Sequence, residues 1–348
     1  MDFGGGDEIL FERRGKAGVV TLNRPKALNA VTHKMVLALS RALAAWENDD
    51  AISAVVLKAE GRAFSAGGDI MDIYQAGKAG KPPIQFFADE YRLNAAIPRF
   101  PKPYVALIDG IVMGGGVGIS FHGSHRVLGD KAVFAMPEVG IGFFPDVGGS
   151  YLLSRLKSGF GMYLGLTGAR IGAGDACWAG LATHSARSED FGSILEGIAA
   201  TGDPNQVMNE FAAQSDRAIN EADILAIGHH FSRGTLSDLV ESLRQAGVED
   251  EFAQQTLATM LKRSPTSLNV AFRQIEAGGA LTMDECMVME FRILNRMLAG
   301  HDFYEGIRAA VVDKDNAPKW RPATLEDIDE AEIEAYFAVP PDGDLQLQ

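Results

Sequence analysis

Cysteine is nearly absent from this chain of 348 residues: there are two, Cys177 and Cys286, both in apolar helical surroundings and without CxxC spacing. Two buried thiols, with no metal or redox role, are the expectation. Histidine is also sparse. The seven are scattered, and His122 and His125 have a spacing more typical of a helix end than of a ligand pair, so no metal is expected. Basic residues are in deficit, with 32 Lys and Arg against 46 Asp and Glu for a net charge of -14. No helix is rich in Lys or Arg, and the global field opposes nucleic acid. No apolar run approaches the length of a membrane span. The first residues, MDFGGGDEIL, lack the basic start and apolar core of a signal peptide and the arginines of a mitochondrial presequence. The expectation is a cytoplasmic protein with neither nucleic-acid nor membrane partners.

What is present is an ordinary globular composition, 47% hydrophobic and 22% charged, long enough for one large domain or one with a smaller appendage. Short strands at Ile9 to Arg13 and Val19 to Asn23 precede an amphipathic helix in which Met35, Val36, Leu39, Ala42, Leu43 and Trp46 recur at helical spacing and should face the core. A second cycle runs through a strand at Ala54 to Ala59, a glycine turn and a helix from Ile84 to Ala96, and a third begins at the strand Val105 to Ile108. This recurrence fits an α/β spiral of ββα units, and periodicity alone fits a doubly wound sheet equally well. After about Ser188 the strand signals fade. The stretch Asp203 to Met260 is helix-rich. Pro265 stands just inside a helix start that Gly278-Gly279 closes, and Thr282 with Glu285 forms a capping-box pattern opening a helix to Leu298. The division expected is residues 1–187 as a core bearing the site and 188–348 as a helical C-terminal region covering the core and walling a pocket. Val339 to Gln348 reads as a mobile end.

Two glycine turns follow strands, Phe64-Ser65-Ala66-Gly67-Gly68-Asp69-Ile70 and Met113-Gly114-Gly115-Gly116-Val117. Glycines there can simply make room for a tight strand-to-helix turn. They also let a ligand atom approach the backbone, and an N–H at a helix start can hold a carbonyl oxygen that is becoming negative. Gly68 and Gly115 are the candidate donors. Downstream lie Glu138, in an apolar stretch where an acid is unusual unless paired or functional, and Asp146, which could equally cap the helix that runs through Tyr151 and Leu156. Donors and acids together suggest acyl chemistry.

The ordered set Asn23-Arg24-Pro25-Lys26-Ala27-Leu28-Asn29-Ala30, FSAGGDI, VMGGGVGIS, MPEVGIGFFPDVGGS and Leu166-Thr167-Gly168-Ala169-Arg170-Ile171 resembles the crotonase (enoyl-CoA hydratase/isomerase) superfamily and, within it, the 3-hydroxyisobutyryl-CoA hydrolase family. The match runs motif by motif over roughly residues 8 to 187 and more loosely beyond, through Ser264-Pro265-Thr266-Ser267. It implies a crotonase-type spiral of ββα repeats and an acyl-CoA substrate whose thioester oxygen is gripped by the Gly68 and Gly115 N–H groups. No cofactor is implied, because coenzyme A belongs to the substrate. The hydratases carry one catalytic Glu three residues after the oxyanion glycine, where this chain has Gly118. Their other Glu corresponds to Glu138, and the hydrolase branch adds an acid matched by Asp146 and a helical Glu matched by Glu90.

Water addition to a conjugated double bond needs an acid and a base together, so glycine at 118 disfavours it. Thioester hydrolysis needs a stabilised oxyanion and a carboxylate that either deprotonates water or attacks the carbonyl to give a mixed anhydride. Glu138 is the candidate base or nucleophile. Asp146 would orient water or exchange a proton, and Glu90 would bind the substrate hydroxyl or tune its neighbours, although beside Asp89 on an amphipathic helix it reads by default as a solvated acid. Arg24 and Lys26 are the cations nearest the glycine turns for CoA phosphates, and the resemblance implies main-chain contacts from Lys26, Ala27 and Leu28. The activity implied is hydrolysis of 3-hydroxyisobutyryl-CoA in valine catabolism. Against it stand a superfamily hydratase or isomerase using Glu138 with another partner, and a non-catalytic RNA-binding member. Crotonase relatives often form trimers, so a homo-oligomer fits the resemblance, as does a C-terminal region occupying that surface.

Overall fold

The computed structural model describes residues 1–247 and 249–347. Among the described residues nine strands form two sheets: β1 (Ile9–Arg14), β2 (Ala17–Leu22), β3 (Ala54–Ala59), β4 (Ala63–Ser65), β5 (Tyr104–Ile108), β6 (Ile111–Met113), β7 (His125–Leu128), β8 (Val133–Ala135) and β9 (His184–Ser185). The larger sheet has the order β1-β2-β3-β5-β7-β9 and the smaller β4-β6-β8. Among these strands β1 and β2 pair antiparallel, and every later strand pair is parallel. The strands β3, β5 and β7 of the larger sheet are each followed by a three-residue strand in the smaller one before the chain returns through a helix. That alternation is the ββα spiral, and it excludes a doubly wound sheet, in which parallel strands follow one another in a single sheet. The edge strand β1 alternates buried and exposed positions at its start, whereas β2 and β5 are buried throughout, as strands covered on both faces require.

The chain forms two compact units, each discontinuous in sequence. One comprises Met1–Asp69, Asp89–Ala135 and Arg170–Ala218, the other Ile70–Ala88, Met136–Ala169 and Ile219–Gln348. These cut the chain elsewhere than at residue 187. In the first unit, which holds both sheets, Ile194, Leu195 and Ile198 of the helix Phe191–Thr201 share a core with Val19, Val56, Val105 and Val127. A helix whose apolar stripe packs on a parallel sheet looks, in sequence, like one packed on other helices. The helix His33–Glu47 begins with Thr32 as N-cap, its hydroxyl accepting from the Met35 N–H, and buries Met35, Val36, Leu39, Ala42, Leu43 and Trp46, the six residues its period assigns to the core.

The second unit is helical. Apart from Val248, which lies outside the described residues, the stretch 203–260 is helix-rich as expected, its part up to Ala218 belonging to the first unit. The helix Pro265–Gly278 has Pro265 in its first turn and the Ser264 hydroxyl accepting from Ser267 N–H, and Met283–Met297 opens with the Thr282–Glu285 capping box formed in both directions. The expected mobile end is corrected. Leu345 is buried and Asp344 takes a two-pronged ion pair from Arg292 at 2.6 Å, so charge pairing and one apolar anchor tie down a segment without periodicity; its final residue, Gln348, lies outside the described residues. Cys286 is buried and Cys177 half-buried. Burial pushes the Cys286 thiol up to about 12, with the nearby Glu290 adding to the shift.

Candidate functional site

In the sheet-bearing unit the two glycine turns meet. After β4 the Gly67 backbone lies at φ +108, open only to glycine at low cost. The Gly67 carbonyl accepts from Val31 N–H at 2.8 Å, and the Asp69 N–H donates to Val31 carbonyl at 3.1 Å. Those bonds leave the intervening Gly68 N–H out of the bridge. After β6, Gly114 turns the chain at φ 46 and Gly115 becomes the first residue of the short helix Gly115–Gly118, so its N–H has no partner within that helix. A Cβ on Gly115 would stand 3.3 Å from the Gly68 nitrogen and 2.7 Å from Glu90 Oε1. The third glycine has a packing role: a Cβ on Gly116 would reach 2.6 Å from Ser65 Cβ and 2.8 Å from Ser65 O. Glu90 is 2% exposed. Its default reading as a solvated acid gives way to a carboxylate buried beside the donor turns, while the neighbouring Asp89 takes the outward role, pairing with Arg92 and His33. Gly118 is buried and offers no side chain.

The helical unit includes, after Met136-Pro137, a single helical turn, Glu138–Ile141. Glu138 is 7% exposed, and its Oε2 has no hydrogen-bond partner among the described residues. Burial holds its carboxyl well above the usual carboxylate range, and the nearby Asp146 and Glu290 push it further in the same direction. No Lys, Arg or His pairs with Glu138 or Glu290 among the described residues. Asp146 is buried as well.

The capping reading of Asp146 concerns the helix Gly149–Ser154. Its N-terminus is capped by Glu290, which accepts from Gly148 N–H at 2.8 Å and from Ser150 N–H at 2.9 Å. Asp146 gives that helix its main-chain carbonyl, to Gly149 N–H at 2.8 Å. Sequence reasoning missed Glu290. The available signal was an acid on the buried face of Met283–Met297, among Cys286, Met287, Ile293, Leu294 and Met297. Burial raises the Glu290 carboxyl to about 8, against the lowering effect of the N–H groups it accepts from.

The segment expected to contact CoA forms the turn Pro25–Ala27, followed by Leu28 and Asn29 in left-handed conformations at φ 49 and φ 54. The two side-chain nitrogen bonds of Asn29, to the carbonyls of Glu60 and Ala63 at 2.8 Å each, hold this unusual backbone. Of the two cations named for phosphates, Arg24 is engaged with Asp69 at 2.9 Å and the Ala30 carbonyl at 2.6 Å. That leaves Lys26 exposed on the turn. His125 bonds to Ser124 and Asn205 and stacks on His184 at 5.8 Å. Among the described residues no three His, Cys, Asp or Glu side chains group to hold a metal, and no helix is long and apolar enough to cross a membrane.

The enoyl-CoA hydratase/isomerase family profile matches residues 17–337. The mitochondrial 3-hydroxyisobutyryl-CoA hydrolase of Danio rerio is 45% identical, covering 98% of this chain and 92% of that protein, and its counterpart in Rattus norvegicus is 44% identical over 95% and 88%. The crystal structure of a carnitinyl-CoA dehydratase from Mycobacterium thermoresistibile superposes with a TM-score of 0.93 at 41% identity, covering 99% of each chain. With its ββα spiral, paired glycine turns and buried acids, this chain belongs to the enoyl-CoA hydratase/isomerase (crotonase) family, in the branch of the 3-hydroxyisobutyryl-CoA hydrolases.

Proposed function

We propose that the protein hydrolyses 3-hydroxyisobutyryl-CoA to 3-hydroxyisobutyrate and free CoA, the valine-catabolic reaction, with 3-hydroxypropionyl-CoA as a second substrate. The observation that carries this reading is the acid inventory: Gly118 stands where the hydratases have a carboxylate, while Glu138 and Asp146 are both present and buried. The relatives named as hydrolases, at up to 45% identity over nearly the whole chain, support the same choice.

In this reading the Gly68 and Gly115 N–H groups donate to the thioester oxygen and strengthen their hold as it becomes an oxyanion. Glu138, whose buried carboxylate binds a proton more tightly than an ordinary one, either takes a proton from water as that water attacks the carbonyl carbon, or attacks the carbon itself. The first route expels CoA from a tetrahedral intermediate; the second expels it to leave an anhydride that water then opens. Asp146 orients the water or exchanges its proton, and Glu90 accepts from the substrate hydroxyl. Lys26, Ala27 and Leu28 offer main-chain groups to the CoA moiety, which arrives and leaves as part of substrate and product. A cytoplasmic location and a homo-oligomeric state are finer parts of this proposal, tested by localising a tagged chain and by measuring its mass in solution; the relatives compared are mitochondrial by name.

The test is a panel of acyl-CoA thioesters. Free thiol should appear from 3-hydroxyisobutyryl-CoA and 3-hydroxypropionyl-CoA, with hydration of crotonyl-CoA slower by about two orders of magnitude, the lower end of what one missing general acid–base group costs. Crotonyl-CoA hydration matching or exceeding thiol release would hand the site to the hydratase reading.

A further inference from the structure

We propose that two buried side chains of the C-terminal helices, Gln274 and Glu290, are positioning residues that hold the Pro145–Ser150 segment, and with it Asp146, in its working conformation. The segment is strained. Val147, buried and β-branched, lies at φ 52, and Gly148 follows at φ 86. A branched side chain in the left-handed region persists only where its surroundings over-determine it, and such residues cluster at functional sites. The surroundings here are specific. The Gln274 side-chain amide, on Pro265–Gly278, donates to the Pro145 carbonyl at 2.5 Å. The Glu290 carboxylate, on Met283–Met297, takes the Gly148 and Ser150 N–H groups. Both side chains are 0% exposed. The segment that carries Asp146 is thus gripped on either side of its strained residue by helices more than a hundred positions away in sequence. A helix cap alone would not require a buried charge, because a hydroxyl or amide from the local chain caps most helices.

The charge has a second consequence. Glu290 lies near Glu138 and Asp146 without a pairing cation, and its charge disfavours the ionised form of Glu138. The groups facing this pair are Asp146, beside both, and Cys286 on the same helix as Glu290, which itself feels Arg155 and Glu285.

This inference rests on the hydrolase reading, so the wild type is assayed first. In Glu290→Gln, kcat for thiol release should fall by about 10- to 100-fold, the scale of a small misplacement of a catalytic group, with KM within about twofold. The acid limb of the kcat–pH profile should move to lower pH, because removing the neighbouring negative charge eases ionisation of Glu138. A purely architectural cap would not move that limb. An unchanged kcat or an unmoved limb overturns the proposal. If Glu290→Gln does not fold, Glu290→Asp keeps the charge but sets the carboxylate back by one methylene: kcat should fall with the limb in place, and wild-type kcat overturns the proposal. Should the wild type turn over only enoyl-CoA substrates, the hydrolase reading fails, and the same measurements on that reaction decide the role of Glu290.

Discussion

Glu138→Gln is expected to lower thiol release by a hundredfold to ten-thousandfold, the range for loss of a general base, while a non-hydrolysable acyl-CoA analogue binds within a few-fold of wild type. The split follows from when the group acts: a base or nucleophile contributes in the transition state and little to ground-state binding. The same substitution should alter stability in a pH-dependent way. The folded carboxyl has its pKa raised above the unfolded value, chiefly by burial and further by Asp146 and Glu290. Its contribution to stability is therefore fully present below about pH 4.5 and is lost as pH rises through the folded pKa. Glutamine carries no such liability. The melting temperature of the variant relative to wild type should rise between pH 5 and pH 9, measured by scanning calorimetry at both. Wild-type turnover by this variant removes Glu138 from the mechanism; a constant difference in melting temperature removes the claim that its buried charge is costly.

Much of this was legible in the sequence because strong local signals agree with the tertiary fold. The strand Ala54–Ala59, the helix Ile84–Ala96 and the Thr282 capping box stand where pattern and cap residues put them. The choice between a spiral and a doubly wound sheet was not legible, because β4, β6 and β8 have three residues each, too few for a period-2 pattern to register. Glu90 was obscured by its own helix: Asp89 next to it is the outward-facing acid, and a 3.6-residue period does not say which of two adjacent acids turns inward. Glu290 was invisible for another reason. Its partners, Gly148 and Ser150, are about 140 positions away, and helix-cap signals are read only from neighbouring residues. The glycine turns were legible as turns, but what sets their glycines apart follows only from coordinates, since Gly114 is needed for its φ and Gly116 for its packing on Ser65, whereas Gly115 opens a helix with its N–H unpartnered inside it.

That division of labour makes the second large prediction a comparison between neighbours. Gly115→Ala places a methyl 3.3 Å from the Gly68 nitrogen and 2.7 Å from Glu90 Oε1. The Glu90 oxygen is the end of a flexible side chain and can yield, and a shift of a few tenths of an ångström accommodates the Gly68 contact, so the fold should survive. The methyl nevertheless occupies the space beside the Gly68 N–H from which a thioester oxygen would accept, and an oxyanion needs its donors at about 2.7–3.1 Å. Turnover should fall by about a hundredfold to a thousandfold, the cost of losing one such donor, with the melting temperature nearly unchanged. Gly116→Ala should do the opposite. Its methyl meets Ser65 Cβ at 2.6 Å and the Ser65 carbonyl at 2.8 Å, neither able to swing aside, so the penalty is overpacking of about 1–3 kcal/mol and a lowered melting temperature, with activity lost in proportion to unfolding. If Gly115→Ala keeps turnover within threefold of wild type, no thioester oxygen sits beside the Gly68 N–H, and Gly68 is not an oxyanion donor.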